Sequence, residues 1–274
     1  MPGGPEPVDW QGGALDCAAC RWAERLAAGQ CGQRWACAED RYAKRIERFF
    51  LVNPDLPDQC LDHPYFEVRA NAARQATLFR LPALLSDPDA GVRAIAVLRL
   101  PLAHVRRMIE DEDQNVRLAV AHRLPGEELA PLLVDPQPYV RQVAARRADP
   151  GLLPNAVHDE DPAVRRVVAR RIPNAWLIHF TDDPDPLVRR EAAQRFGPSS
   201  LARWAADRDL RVRHCIAERA DAALARQLLE DPDPLIRETA AGRLASLKEV
   251  GGCPAHGAEA RPSAVEEETA HVDR

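Results

Sequence analysis

A Val-Arg pair recurs every 24 residues through most of this chain, and that fixed step constrains the fold more than any other feature. The pairs are Val68-Arg69, Val92-Arg93, Val116-Arg117, Val140-Arg141, Val164-Arg165, Val188-Arg189 and Val212-Arg213, and Ile236-Arg237 completes the series without insertion or deletion. A short fixed period marks a repeat architecture, in which one unit cannot bury its apolar face alone and must stack on its neighbours.

The other columns give each unit its elements. Asp stands five residues before the Val, at Asp87, Asp111, Asp135, Asp159, Asp183, Asp207 and Asp231, with His63 in its place in the first unit. A second Asp, three residues before the Val, is followed by proline at Pro162, Pro186 and Pro234. That order reads as an N-cap and a proline at the first helical position. Positions +4, +5 and +8 from the Val are small or apolar (Ala96, Val97 and Leu100 in the second unit), one stripe at helical period. Proline at +9, as at Pro101, Pro125 and Pro173, ends the helix after about ten residues. A second apolar segment, such as Leu102–Ile109, must fit before the next Asp and has room for only a short α or 3₁₀ piece. Alternation is absent and Ala dominates the stripe, which argues against strands.

Two arginine columns need separate readings. At about 100° per residue, the Arg at +1 falls between +4 and +5, inside the apolar arc. A charge there needs partners, and the Asp columns supply them, so the sequence predicts an Asp–Arg ladder between adjacent units with helix-end backbone groups as further partners. The Arg at +7 (Arg99, Arg123, Arg147, Arg171, Arg195, Arg219, Arg243) lies at the edge of the arc and reads as a solvated face, or as a surface for a ligand.

The N-terminal region is different. Four of the seven cysteines, Cys17, Cys20, Cys31 and Cys37, are spaced C-x₂-C-x₁₀-C-x₅-C. Such clustering reads as metal ligation. Four thiolates suit a cubane cluster, one per iron, and equally a structural zinc; the spacing alone leaves both open. Arg21, Arg25, Arg34, Arg41, Lys44, Arg45 and Arg48 surround these cysteines in sequence, with Trp22, Trp35 and Tyr42 among them. The cations are read as stabilising an anionic cluster, the aromatics as shielding it or as the core of a small cap. A helix at 41–51, ended by Pro54, is expected to pack on the first repeat. Cys215 reads as a buried apolar residue; Cys60 and Cys253 are substitute ligands at most.

The columns resemble the HEAT-like repeats, and the rigid 24-residue step resembles the leucine-rich repeat variant family more closely. The cysteine module is similar to that family's iron–sulfur domain, found in nitrogen-fixing bacteria. The resemblance implies an all-α right-handed solenoid of alternating α and 3₁₀ helices. It also implies a [4Fe–4S] cluster on Cys17, Cys20, Cys31 and Cys37; zinc is the alternative cofactor that the donor set by itself allows. The expected organisation is a four-cysteine module over 1–61, eight repeats over 62–248 and an acidic tail over 249–274.

Other classes find little support. Net charge is −5, and no segment shows the basic excess of a non-specific nucleic-acid binder, which leaves only the +7 arginines for that role. No run of 18 apolar residues exists and the N-terminus lacks a basic start and an apolar core, so neither a membrane span nor a signal peptide is expected, and a cytoplasmic location is. H-E-x-x-H, P-loop and G-x-G-x-x-G motifs are absent from the sequence, and no enzyme is expected. The reading is a redox or electron-transfer adaptor that offers its solenoid surface to a protein partner. The alternative is an interaction module that a metal merely stabilises.

Overall fold

The computed structural model describes residues 4–251; Cys253 and nearly all of the expected acidic tail lie outside the described residues. Two compact units are formed, Met1–Arg195 and Phe196–Arg274. Secondary structure is helical throughout, and among the described residues β-pairing is limited to three isolated bridges in the N-terminal region. No helix among them is long and apolar enough to cross a membrane.

In the first unit, ten-residue helices at Ala90–Arg99, Gln114–Arg123, Pro138–Arg147, Pro162–Arg171 and Pro186–Arg195 keep the 24-residue step. Four of the five start where the sequence places an Asp cap; Pro138–Arg147 starts after Gln137, which makes no side-chain cap bond. Asp89 accepts from the Val92 N–H at 3.1 Å, and Asp161 from the Ala163 N–H at 2.7 Å. Each ends at +7, and the next residue turns extended: Leu100, Leu124 and Ile172 have ψ of 155°, 146° and 149°. Proline at the following position forces that conformation. Ala148 adopts it too, with Asp149 after it, so proline is sufficient but not required. The intervening segments are 3₁₀ at Leu81–Ser86, Gly126–Val134, Pro150–Ala156 and Asn174–Phe180, and mixed at Leu102–Val105 and Arg106–Met108.

The predicted ladder forms. Arg69, Arg93, Arg117, Arg141 and Arg165 each grip the Asp 18 residues ahead through Nε and Nη2. Distances run from 2.6 Å (Arg117–Asp135) to 3.1 Å. The remaining Nη1 donates to two carbonyls ahead of the arginine's own helix, as Arg93 does to Asp87 O and Pro88 O at 2.9 and 3.4 Å. Each acid also turns its own chain, Asp87 Oδ1 accepting from the Asp89 N–H at 2.8 Å. Arg117 is 8% exposed, which places it inside the stripe, as the wheel requires. A buried pair adds little net stability by itself, but with all three guanidinium nitrogens engaged it fixes the register of one unit on the next.

The +7 arginines correct the expectation of a solvated face. Arg99 Nη1 donates to Ala73 O and Ala76 O at 2.7 and 2.6 Å, and Arg171 Nη1 to Ala145 O and Ala148 O, both at 2.8 Å. Arg123, Arg147 and Arg195 make equivalent bonds to the preceding helix end. Apart from Ala76, which lies just beyond Phe66–Ala73, those carbonyls stand at a helix end, where they lack intrahelical partners and carry the negative end of its dipole. The column is an inter-repeat C-cap.

The second unit repeats the pattern. Helices Leu210–Arg219 and Pro234–Gly251 flank a short helix Ala222–Leu228, Arg213 pairs with Asp231 at 2.8 Å, and Arg243 donates to Ala220 O at 3.0 Å. Pro234–Gly251 runs on for 18 residues, through Ala245 at the position that holds proline in three of the other units. Cys215 is buried, as expected.

The N-terminal module closes the first unit. Its helix is Ala43–Val52, close to the expected span, and its Ile46, Phe49 and Phe50 share one core with Trp22, Cys60, Val68 and Ala72. Two residues of the first repeat depart from the columns to receive it. His63 stands in for Asp: its Nδ1 accepts from the Tyr65 N–H at 3.0 Å, and its Nε2 meets Glu39 of the module at 3.2 Å. Tyr65 replaces the N-cap Asp and stacks on Trp10.

Candidate metal centre

Local turns bring the four expected cysteines together. Asp16 Oδ1 accepts from the Ala18 and Ala19 N–H groups at 2.9 and 3.1 Å, which bends the segment carrying Cys17 and Cys20. The helix Ala23–Ala27 follows, and Gly29, at φ 69°, reverses the chain toward Cys31. Gly32 and Ala36 exchange backbone hydrogen bonds at 2.7 and 3.0 Å, closing a tight loop with Cys31 and Cys37 at its ends. Gln33 Nε2 donates to Leu15 O at 2.8 Å and ties this loop to the first.

All four cysteines are half-buried, and all four border one cavity with Trp22, Leu26, Ala38 and Phe49. Cys17, Cys20 and Cys37 also border a wider cleft of about 360 Å³, lined by Asp9, Trp10, Asp16, Arg21 and Glu39. The centre therefore has an apolar wall on one side and a polar mouth on the other. Burial pushes the Cys20 and Cys31 thiols up, and Cys37 up to about 12. Metal must displace these protons, because the thiolate is the ligand. Backbone N–H groups already point at sulfur, Trp22 N–H to Cys20 Sγ at 3.4 Å and those of Glu39 and Asp40 to Cys37.

The donor set fits a cluster. Four thiols surround a cavity, one for each iron of a cubane. The Trp22 indole N–H is buried beside the Glu39 carboxylate, which it helps to hold below the usual range, and Trp22 borders that cavity. Such donors near cluster sulfur tune its potential. Cys60 does not border the cavity; it is buried in the module core, its thiol pushed up to about 11 by burial, and it accepts from Arg21 Nη2 at 3.4 Å.

The cations are placed differently from the sequence expectation. Arg21 alone of the seven lines the cysteine cleft, and it also lies over the Trp22 ring at 4.3 Å. Arg25 pairs with Asp55, and Arg45 with the buried Asp40 at 2.9 Å. Arg34, Lys44, Arg45 and Arg48 border a separate pocket. The groups facing the cysteines are more acidic than basic, because a loop of this length can turn its side chains either way and sequence proximity does not decide which. Glu39 went unnoticed in the sequence; the hydrogen bond with His63 holds its carboxyl below the usual range despite burial.

Helical units of alternating α and 3₁₀ segments, closed by a four-thiol module, define a helical repeat protein with a cysteine-rich cap. Comparisons with known proteins agree. Residues 7–59 match the family described as LRV protein FeS4 cluster, and residues 115–137 match the leucine rich repeat variant. A solved structure titled "a leucine-rich repeat variant with a novel repetitive protein structural motif" superposes with a TM-score of 0.78 at 37% identity, covering 84% of this chain and 99% of the other. An uncharacterized 27.7 kDa protein in the nifB 3' region of Rhodobacter capsulatus is 64% identical over 104 residues, 38% of this chain and 42% of that protein, so less than half of that relative is spanned. The chain belongs to the leucine-rich repeat variant family. The cofactor of its N-terminal domain is a [4Fe–4S] cluster.

Proposed function

We propose that this protein is a non-catalytic redox adaptor of the cytoplasm, in which Cys17, Cys20, Cys31 and Cys37 hold the cluster and the repeats bind a protein partner. The carrying observation is the position of the four thiols. They are walled by Trp22, Phe49 and Ala38 on one side and open to a cleft on the other. A cluster so placed is shielded from bulk water yet close to the surface. When bound, the cluster supplies one-electron chemistry. The name of the Rhodobacter capsulatus relative supports a link to nitrogen fixation. An anaerobic spectroelectrochemical titration tests the reading: one reversible one-electron wave is expected, and a cluster inert from about −700 to +450 mV contradicts it.

A second reading, a purely structural cluster, is favoured by the core that Phe49 and Phe50 share with Val68 and Ala72 of the first repeat. Under it, loss of the cluster unfolds the module and leaves partner binding intact. The +7 arginines favour a stacking role over nucleic-acid binding, since Arg99, Arg171 and Arg195 each spend an Nη1 on a backbone carbonyl of the preceding repeat.

A further inference from the structure

The N-terminal module separates its charges. Acids surround the cysteine cleft, while Arg34, Lys44, Arg45 and Arg48 border a shallow pocket of about 110 Å³ with Gly4, Trp35 and Tyr42. None of the described residues lining it is acidic. Arg45 is neutralised by Asp40. Arg34, Lys44 and Arg48 are exposed, and among the described residues none of the three has a carboxylate partner.

Stability does not account for this grouping. Lys44 sits in the first turn of Ala43–Val52, which holds no acid, although the positive end of the helix dipole disfavours a cation there. Trp35 is 38% exposed amid the cations. Exposed tryptophan beside arginine is the composition of an interface centre. The patch is also joined to the cluster site. A Cβ on Gly32 would stand 2.6 Å from Trp35 Nε1, so the indole lies against the backbone of a residue that borders the four-cysteine cavity.

We infer that Arg34, Lys44 and Arg48, with Trp35 between them, form the docking face for an acidic electron-carrier protein that exchanges one electron with the cluster. The inference rests on the redox reading above. In the exchange the reduced carrier loses one electron and the oxidised cluster gains it, or the reverse, with no bond made or broken. The pocket is too small and open to enclose a drug-sized ligand, and three cations release too few counterions for firm nucleic-acid binding. Charge complementarity across a protein interface, by contrast, speeds and orients a brief encounter.

The test uses anaerobically purified holoprotein and an acidic [2Fe–2S] ferredoxin as probe, with binding measured by calorimetry at about 0.01 M and 1 M salt, where the screening length falls from about 30 to 3 Å. Arg34→Gln/Lys44→Gln/Arg48→Gln is compared with Arg107→Gln/Arg146→Gln/Arg226→Gln, which makes the same charge change on exposed sites elsewhere. Expected are binding weakened by about tenfold or more in the first variant at low salt, little change in the second, and loss of binding to wild type at high salt. Trp35→Ala should also weaken binding at low salt, although it changes no charge. Equal binding by the two triple variants overturns the docking face, as does tighter binding of inorganic phosphate or a short DNA duplex at the same residues. Iron content and the rate of reduction by dithionite are read in parallel. Should the first variant alter either, the patch acts on the cluster and the inference falls. A cluster that no reductant reduces removes the redox reading and electron exchange with it, an outcome distinct from a reducible cluster whose ferredoxin binding ignores the patch.

Discussion

Replacing Arg117 by methionine tests the ladder at its centre. The guanidinium makes four hydrogen bonds: to Asp135 at 2.6 and 3.1 Å, to Asp111 O at 2.8 Å and to Glu112 O at 3.1 Å. Methionine fills the stem but leaves Asp135, whose side chain is 2% exposed, with the Gln137 N–H at 2.8 Å as its remaining donor among the described residues. Removing one member of a buried pair costs about 3–5 kcal/mol, because the other charge stays desolvated. Arg117→Met/Asp135→Asn removes both charges and keeps an acceptor for Gln137, so it should cost only about 1–2 kcal/mol. In a one-dimensional array the damage is local to one interface. Urea unfolding of the single variant, followed by circular dichroism, should therefore show two transitions where wild type shows fewer. A single variant that loses under about 1 kcal/mol, or a double variant as unstable as the sum of both singles, refutes the ladder as a stacking device.

Further outcomes follow from the same geometry. Arg171→Met removes the cation that caps Ala145 and Ala148 and should cost about 1.5–3 kcal/mol in urea unfolding; no loss would return the +7 column to a solvated role. Asp161→Ala deletes an N-cap bond of 2.7 Å and should cost about 1 kcal/mol, with Asp161→Asn close to wild type. The Arg211 hydrogen bond lowers the Asp209 carboxyl to about 2, and Asp111, though burial raises it, is held low by Arg93. Groups depressed in the folded state stabilise it above the unfolded carboxyl pKa of about 3.9 and lose that contribution as pH falls. Stability should hold above about pH 4 and decline toward pH 2, and Arg211→Gln should reduce the share of that decline due to Asp209.

The repeats were legible because their step never varies: the Asp caps, the Ala96-type stripe and the buried +1 arginine each follow from position on one helix. The +7 arginines were not legible. Their partners are carbonyls of the preceding unit, and a helical wheel contains only its own residues. In the module, the turn residues Asp16 and Gly29 bring together cysteines that the spacing had already singled out. Placement of the cations was hidden, because Arg34, Lys44 and Arg48 lie close to Cys31 and Cys37 in sequence yet face another pocket. His63 was visible as a break in the Asp column, but its acidic partner Glu39 is a contact from 24 residues away.

Iron and acid-labile sulfide per chain, measured on anaerobically purified wild type and on single Cys→Ser variants at 17, 20, 31, 37 and 60, test the central claim most directly. About four of each are expected in wild type and in Cys60→Ser, with loss in each of the other four variants. Full iron in any of those four, or loss confined to Cys60→Ser, would contradict the assignment of the ligands.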